Sequence, residues 1–234
     1  MFWLQNLAIS SGFGSLQSGF LTLDLPKMPN LDKKYLFRMT HIENIPHILQ
    51  NGITHSTSTQ SNPDFVPIGD KRLIVRRNLT LLENGRRLGD YVPFYFGYRM
   101  PMLYVIQKGF NGIEAIPVGD IVYCVTTIQE IINLNLDFIF TDGHAVDKFS
   151  SQYTRADIGN IEMLIDYAAI RAKYWQDEQD LDKKRRKEAE FLILGDLPPK
   201  AVLGYVVYNT KACEKMIGFG ASADKVVVKP EYYF

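Results

Sequence analysis

The sequence predicts an α+β fold with a split, largely antiparallel β-core and flanking helices. Three observations lead there: short β-prone runs dominate, helical patterns are few, and no internal repeat or low-complexity tract is present. Residues 1–30 read as an N-terminal extension, in which Ser, Gly and Leu mix without period and Pro26 and Pro29 punctuate the end. Met28 is a candidate start for the folded unit, and residues 31–234 are expected to form a single domain.

In chain order, 35–39 (Y-L-F-R-M) is a first strand and 42–49 a short helix, with Ile42, Ile45, Ile48 and Leu49 on one face. Thr40 is its expected cap and Gly52 its stop. Residues 54–70 are polar and turn-rich, the signature of a working loop. Residues 73–77 are short and mixed, and 85–90 form a turn region. The aromatic run 91–96 is β-prone, with Pro93 arguing for an edge strand or a strand start. Residues 102–107 and 121–127 are further strand candidates, 127–133 is a helix, and 138–143 is a strand running into a T-D-G turn. The charged stretch 162–184 is helical or looped and able to lie over a cleft. Strands at 190–194, 202–208 and 225–228, with a helix at 211–217, complete the chain.

Composition excludes several classes. The 26 basic and 26 acidic residues cancel, so the chain is not a globally basic nucleic-acid binder. The clusters Lys183–Lys187, Lys71–Arg72, Arg76–Arg77 and Arg86–Arg87 still leave room for a local basic groove. Two distant cysteines and four histidines without H-x-x-x-H spacing argue against a zinc site, so no metal is expected. No apolar run approaches the ~20 residues of a membrane span, and the start lacks the basic region of a secretory signal. A reducing cytoplasm is the expected compartment. The motifs of P-loop NTPases, Rossmann dehydrogenases, zincins and α/β-hydrolases are all missing.

What remains is a dispersed polar set: His41, Arg76, Arg77, Tyr95, His144 and Glu190. Glu190 heads the apolar run E-F-L-I-L directly after five positive charges, where a carboxylate is costly to bury unless paired or used. Each member has a plain alternative. Arg185, Arg186 or a lysine would hold Glu190, His41 would cap its helix, Tyr95 would be a core tyrosine, and His144 would secure its turn.

Taken together, Y-L-F-R-M-T-H-I-E-N-I at 35–45, Arg76–Arg77, D-Y-V-P-F-Y-F-G at 90–97, P-M-L-Y at 101–104, T-D-G-H-A at 141–145 and A-E-F-L at 189–192 resemble the DarT family of DNA ADP-ribosyltransferase toxins, in the same order and at similar spacing. The resemblance covers roughly residue 33 to the C-terminus. It implies the ADP-ribosyltransferase fold of poly(ADP-ribose) polymerases, with NAD as the substrate gripped in an extended cleft. It also implies transfer of ADP-ribose to a base of single-stranded DNA, thymidine in the first place and guanosine in the other branch. A macrodomain antitoxin of the DarG type would be the partner and the transferase itself a monomer. The chain departs from the family pattern in its N-terminal extension and at Glu188, where many members carry an amide.

The resemblance places Glu190 as the catalytic carboxylate, orienting the nicotinamide ribose, stabilising an oxocarbenium-like state and helping to deprotonate the attacking base. Arg76 or Arg77 would offer a planar fork to the NAD diphosphate as well as serving the chemistry. Thr40 and His41 match a position on a ribose side of the cofactor, Tyr95 an aromatic position in the cleft, and His144 a position near the scissile region. By analogy, the segment before the catalytic glutamate recognises the target, which nominates Tyr153, Arg155, Tyr174 and Trp175 for DNA. Leu164, Tyr167, Ile170 and Tyr174 also fit the packing face of a helix. Two other functions stay open: the same fold modifying RNA or protein, and a catalytically silent nucleic-acid-binding module. The joint presence of His41, an arginine at 76 or 77 and Glu190 argues against the silent module.

Overall fold

A computed structural model describes residues 29–234; residues 1–28, with nearly all of the expected extension, lie outside the described residues. Among the described residues, eight strands form one sheet: β1 (Tyr35–His41), β2 (Tyr91–Tyr95), β3 (Ile121–Thr127), β4 (Phe138–Thr141), β5 (Gln152–Thr154), β6 (Glu190–Leu194), β7 (Gly204–Val207) and β8 (Val226–Val228). Their spatial order is β5-β4-β6-β2-β1-β3-β7-β8, and every pairing is antiparallel except β7 with β8.

The split lies between β1 and β2. β1 pairs with β3 along its whole length and β2 pairs with β6 from Tyr91↔Leu194 to Tyr95↔Glu190, yet β1 and β2 meet only at Phe37↔Tyr95. Pro93 sits in this gap, so β2 is central in the sheet, and the expectation of an edge strand holds only locally. A proline interrupts a ladder wherever its N–H would be needed. Arg38 enters the gap instead, with Nη1 donating to the Pro93 carbonyl at 3.0 Å.

Alternation along the strands divides the core. Phe94, Phe140, Phe191 and Ile193 face the larger cluster, where Phe138 stacks on Phe191 at 4.5 Å and Phe96 meets Phe191 edge-on at 6.0 Å. Leu192, Tyr91 and Ile139 face the other side. Glu190, two residues before Leu192, lies on that second face, while Phe191 anchors the strand in the first.

Eight α-helices among the described residues accompany the sheet: α1 (Ile45–Asn51), α2 (Lys71–Leu79), α3 (Pro101–Lys108), α4 (Ile128–Asn133), α5 (Ile161–Leu164), α6 (Tyr167–Arg171), α7 (Lys183–Lys187) and α8 (Thr210–Gly218). Several sequence expectations change. The strand expected at 102–107 is α3, because Pro101 starts a helix, Pro101, Leu103 and Ile106 form its buried face, and left-handed Gly109 ends it. The mixed stretch 73–77 lies within α2, which has Asp70 as its N-cap, accepting from the Arg72 N–H at 2.8 Å. β5 went unread because it is short and polar. The stretch 162–184, expected to be helical or looped, is both: it holds most of α5, all of α6 and a loop leading into α7. Thr40 does not cap the helix after β1; His41 does, its Nδ1 accepting from the Glu43 N–H at 3.2 Å.

Candidate active site

Glu190 is fully buried at the N-terminal end of β6. Arg77, in the last turn of α2, meets it fork to fork, with Nη1 to Oε1 at 3.0 Å and Nη2 to Oε2 at 2.7 Å. The Ala145 N–H gives Oε1 a third bond at 2.9 Å. Burial pushes the Glu190 carboxyl up, but Arg77, His144 and the Ala145 amide outweigh it and hold it below the usual carboxylate range. The plain alternative, in which Arg185, Arg186 or a lysine holds this carboxylate, is thereby replaced by an arginine 113 residues away in sequence.

The turn after β4 presents the amide. The Thr141 hydroxyl donates to the Gly143 carbonyl at 2.6 Å and accepts from the Glu190 N–H at 3.3 Å, tying the turn to β6. A Cβ at Gly143 would stand 2.6 Å from Ser150 Oγ and 2.7 Å from Arg185 Cγ, so a larger residue would displace the Arg185 side chain packed there. His144 Nδ1 accepts from the Val146 N–H at 3.3 Å and lies 3.7 Å from Glu190 Oε1, too far for a hydrogen bond. Burial keeps its imidazole neutral against the pull of Glu190, which leaves the proton on Nε2.

Tyr95 is paired in register with Glu190, and burial together with that carboxylate pushes its phenol up, so it stays a hydroxyl donor. Sequence reasoning missed Arg38. Burial and the nearby Arg77 push its guanidinium down to about 10, with Tyr95 and Glu190 partly countering. The available signal was a lone arginine between Phe37 and Met39 in an otherwise apolar strand. Arg76 is exposed and points elsewhere, to the Val146 carbonyl at 3.3 Å.

α2 also reaches a larger cleft. Lys71 and Arg72 at its start line a space of about 750 Å³ together with His41, Pro67, Asp70 and Ile116. The five residues from Arg72 to Arg77 rise ~7.5 Å along a helix, so the cleft and Glu190 are joined by one element. Thr40 is buried behind His41, its hydroxyl accepting from Asn44 Nδ2 at 3.0 Å. Asn44 in turn exchanges two bonds of 2.8 Å with the Val66 backbone and so fixes the cleft wall.

The residues nominated for DNA are not brought together. Tyr153 is in register with Phe140 and packs on it at 5.2 Å, on the face away from Glu190. Arg155 donates to the Leu136 carbonyl at 2.6 Å and lies over the Phe138 ring, at the far end of β4 from the Glu190 turn. Trp175 docks edge-on against Tyr104 and Phe234, while Tyr174 stands exposed beside Lys173. The basic run Lys183–Lys187 is no open groove either. Lys183 pairs with Asp177, Arg185 with Asp142 and Asp182, and Arg186 with Asp166, Asp180 and Asp182. Lys187 is buried, donating to the Ile170 and Ala172 carbonyls at 2.7 Å each. Among the described residues no group of three or more His, Cys, Asp or Glu side chains could hold a metal, and no helix is long and apolar enough to cross a membrane.

A split antiparallel sheet with a buried glutamate at the head of a central strand, paired with an arginine from a helix that begins at a cleft, defines the class of ADP-ribosyltransferases. The family described as ssDNA thymidine ADP-ribosyltransferase, DarT, matches residues 37–234. The chain is 32% identical over 183 residues to a DNA ADP-ribosyl transferase of Escherichia coli O127:H6, covering 77% of this chain and 83% of that one. It superposes on Thermus sp. 2.9 DarT in complex with ADP-ribosylated ssDNA with a TM-score of 0.74 at 28% identity, covering 86% and 96% of the two chains. For the same protein in complex with NAD+ the TM-score is 0.71 at 26% identity, covering 88% and 99%. A DNA ADP-ribosyl transferase-DNA ADP-ribosyl glycohydrolase fusion protein of Thermosipho africanus is 27% identical over 182 residues, covering 77% of this chain and 44% of the fusion. The chain belongs to the DarT family of ssDNA thymidine ADP-ribosyltransferases.

Proposed function

We propose that this chain transfers ADP-ribose from NAD to thymidine in single-stranded DNA, with Glu190 as the catalytic carboxylate. The observation that carries the reading is the buried Glu190 paired with Arg77, whose helix begins at the cleft lined by His41, Lys71 and Arg72. Cleavage of the nicotinamide glycosidic bond builds positive charge on the ribose, and a carboxylate held ionised in a dry site stabilises that charge without reorganising. Arg77 serves by fixing the carboxylate, and its remaining N–H groups together with Arg38 supply positive potential for the NAD diphosphate. His41, on the cleft wall, takes the cofactor's ribose side, with Thr40 behind it as its support. Tyr95 and His144, both neutral donors beside Glu190, border the reacting centre.

Residues 31–234 act as one transferase domain, a monomer in the cytoplasm and the toxin of a pair. The Thermosipho relative, which joins a transferase to a DNA ADP-ribosyl glycohydrolase, supports a partner that removes the mark. The test is to incubate the protein with NAD and a panel of single-stranded oligonucleotides and weigh the products. A gain of one ADP-ribose on thymidine-containing strands, removed again by a DNA ADP-ribosyl glycohydrolase, is expected. Modification of RNA or protein with none on DNA would overturn the reading.

A further inference from the structure

Two of the hydrogen bonds to the Glu190 carboxylate come from Arg77, and another comes from a backbone N–H, which is only as well placed as the turn that carries it. Ala145 donates to Oε1 at 2.9 Å from the segment 142–151 between β4 and β5. That segment is closed at its base, where the Asp142 carboxylate accepts the Ser151 N–H at 2.8 Å and the Ser151 carbonyl accepts the Asp142 N–H at 3.4 Å. Within it, the His144 carbonyl accepts the Asp147 N–H at 2.8 Å and the Asp147 carbonyl accepts the Ser150 N–H at 3.0 Å. The Thr141 hydroxyl ties its start to β6.

A second tie comes from Arg185 on α7. Nη1 donates to Asp142 Oδ1 at 2.9 Å and to Ser150 Oγ at 3.3 Å, so one nitrogen clasps both limbs of the segment. Nε and Nη2 donate to the two oxygens of Asp182 at 2.7 and 2.9 Å, which fixes the direction of the fork. With side chains 14% and 22% exposed, Arg185 and Asp142 are shielded from the solvent screening that weakens ordinary surface pairs. Arg185 also stands just before Glu190 in a stretch without slack: the Glu188 N–H donates to the Arg185 carbonyl at 3.0 Å, and β6 begins at Glu190. A closed path results. It runs from the Arg185 side chain through Asp142 and the turn to the Ala145 N–H, into Glu190 Oε1, and back along the chain to Arg185.

We infer that Arg185 is a positioning residue for the transfer reaction, holding the 142–151 segment so that the Ala145 N–H aims Glu190 Oε1 at the nicotinamide ribose. This rests on the reading of Glu190 as the catalytic carboxylate. No bond or proton changes place at Arg185, which acts through Asp142 and Ser150. Such a support has leverage because a misplacement of about 1 Å at the reacting centre costs as much as ~10²-fold in rate. Arg186, the next residue along α7, is the internal contrast: its partners Asp166, Asp180 and Asp182 all lie outside the segment.

The experiment compares Arg185→Gln, Arg185→Lys, Asp142→Asn, the double variant Arg185→Gln with Asp142→Asn, and Arg186→Gln, each in the full chain. Transfer to a thymidine-containing single strand gives kcat and the KM values for NAD and DNA, and the Ala145 amide is followed by NMR. His144–Ala145 is the one His-Ala step in the sequence, so carbonyl-labelled histidine with nitrogen-labelled alanine isolates that signal. Arg185→Gln and Asp142→Asn are each expected to lower kcat ~10–10²-fold with both KM values kept within ~3-fold, the pattern of a contact that matters in the transition state. Their Ala145 amide should move upfield and exchange faster as its bond to the carboxylate weakens. The double variant should be no slower than the slower single one, because both act along one path. Arg185→Lys keeps the charge without the fork and should recover part of kcat. Arg186→Gln should lower the melting temperature and move neither kcat nor the amide. An unmoved Ala145 amide in Arg185→Gln, or a kcat within ~2-fold of the unsubstituted protein, would overturn the inference. So would equal losses in Arg186→Gln, which mark general destabilisation, or a raised KM for DNA at unchanged kcat, which places Arg185 on the substrate. No DNA modification by the unsubstituted protein would instead remove the reading of Glu190, while the Ala145 signal would still report whether Arg185 holds the turn.

Discussion

Arg77 and Glu190 share two parallel hydrogen bonds, of 3.0 and 2.7 Å, across the space between α2 and β6. The pair joins a helix with no buried residue to a strand buried over nearly its whole length, so it is both the lock of the site and its chemistry. Glu190→Gln keeps the shape and removes the charge. It is expected to lower transfer by at least ~10³-fold, the loss typical when a preorganised electrostatic contact to the transition state is removed. Circular dichroism should stay close to that of the unsubstituted protein, while the melting temperature falls because Arg77 loses its counter-charge. Glu188→Gln should be milder in turnover, and the reverse order of the two variants would move the catalytic role to Glu188.

The adjacent arginines should separate cleanly. Arg77 faces Glu190 and is 15% exposed, whereas Arg76 is exposed and bonded to the Val146 carbonyl. Neighbours on a helix point about 100° apart, so one binding site rarely uses both. Arg77→Ala is expected to weaken NAD binding at least ~10-fold, a charge-assisted contact being worth ~1.5–3 kcal/mol, while Arg76→Ala changes it less than ~3-fold. Calorimetry with NAD decides; equal losses would place both arginines on the DNA side.

The pair also sets a dependence on acid. The folded pKa of Glu190 lies below its unfolded value of about 4.3, so its contribution to stability is complete above that value and fades as pH falls through the lower folded one. Removing the arginine takes away the largest opposition to burial, leaving His144 and the Ala145 amide alone against it, so the carboxyl is pushed up relative to the unsubstituted protein. Arg77→Met should cost ~3–5 kcal/mol at pH 7.5, the penalty of an unpaired buried charge. That deficit should shrink toward pH 4, as Glu190 protonates in the variant first. Denaturant unfolding at the two pH values measures it, and a constant deficit would mean that packing, not charge, is lost.

Much of the sheet was legible because β3, β4 and β6 are unbroken apolar runs between turns, where period and punctuation agree. α3 was misread for the same reason: a short apolar run carries no period that separates strand from helix, and Pro101 as a helix start was the overlooked cue. α2 was missed because it buries no residue and so shows no apolar stripe. In the site, Glu190, Arg77, Tyr95 and His144 were all named from the sequence, and the structure brings them together. Arg38 was not named, since its role arises from the gap between β1 and β2, a relation between strands that no local pattern encodes. The basic run before β6 misled because charge neutralisation by Asp142 and Asp166 is likewise a long-range fact.

That neutralisation bears on how DNA is held. With Lys183, Arg185 and Arg186 engaged in ion pairs and Lys187 buried, Lys184 alone in the run remains to meet a phosphate. A chain of zero net charge then holds a polyanion through a few contacts from elsewhere, Arg76 and Lys148 near the Glu190 turn among them. For single strands the slope of log affinity against log salt is ~0.7 per phosphate neutralised, so three or four contacts give a slope of roughly 2–3 in magnitude. Stacking and base contacts must supply the rest. Binding should therefore favour single strands over duplex, where extruding a paired base costs a few kcal/mol. The measurement is a salt titration of matched single-stranded and duplex oligonucleotides, with Glu190→Gln used to prevent turnover. Arg185→Gln in that background should leave the slope unchanged while lowering the melting temperature, because its partners are Asp142 and Asp182 and not DNA. A slope reduced by ~0.7 or more in Arg185→Gln would show that its ion pairs open to admit DNA, and equal affinity for single strand and duplex would sink the single-strand reading.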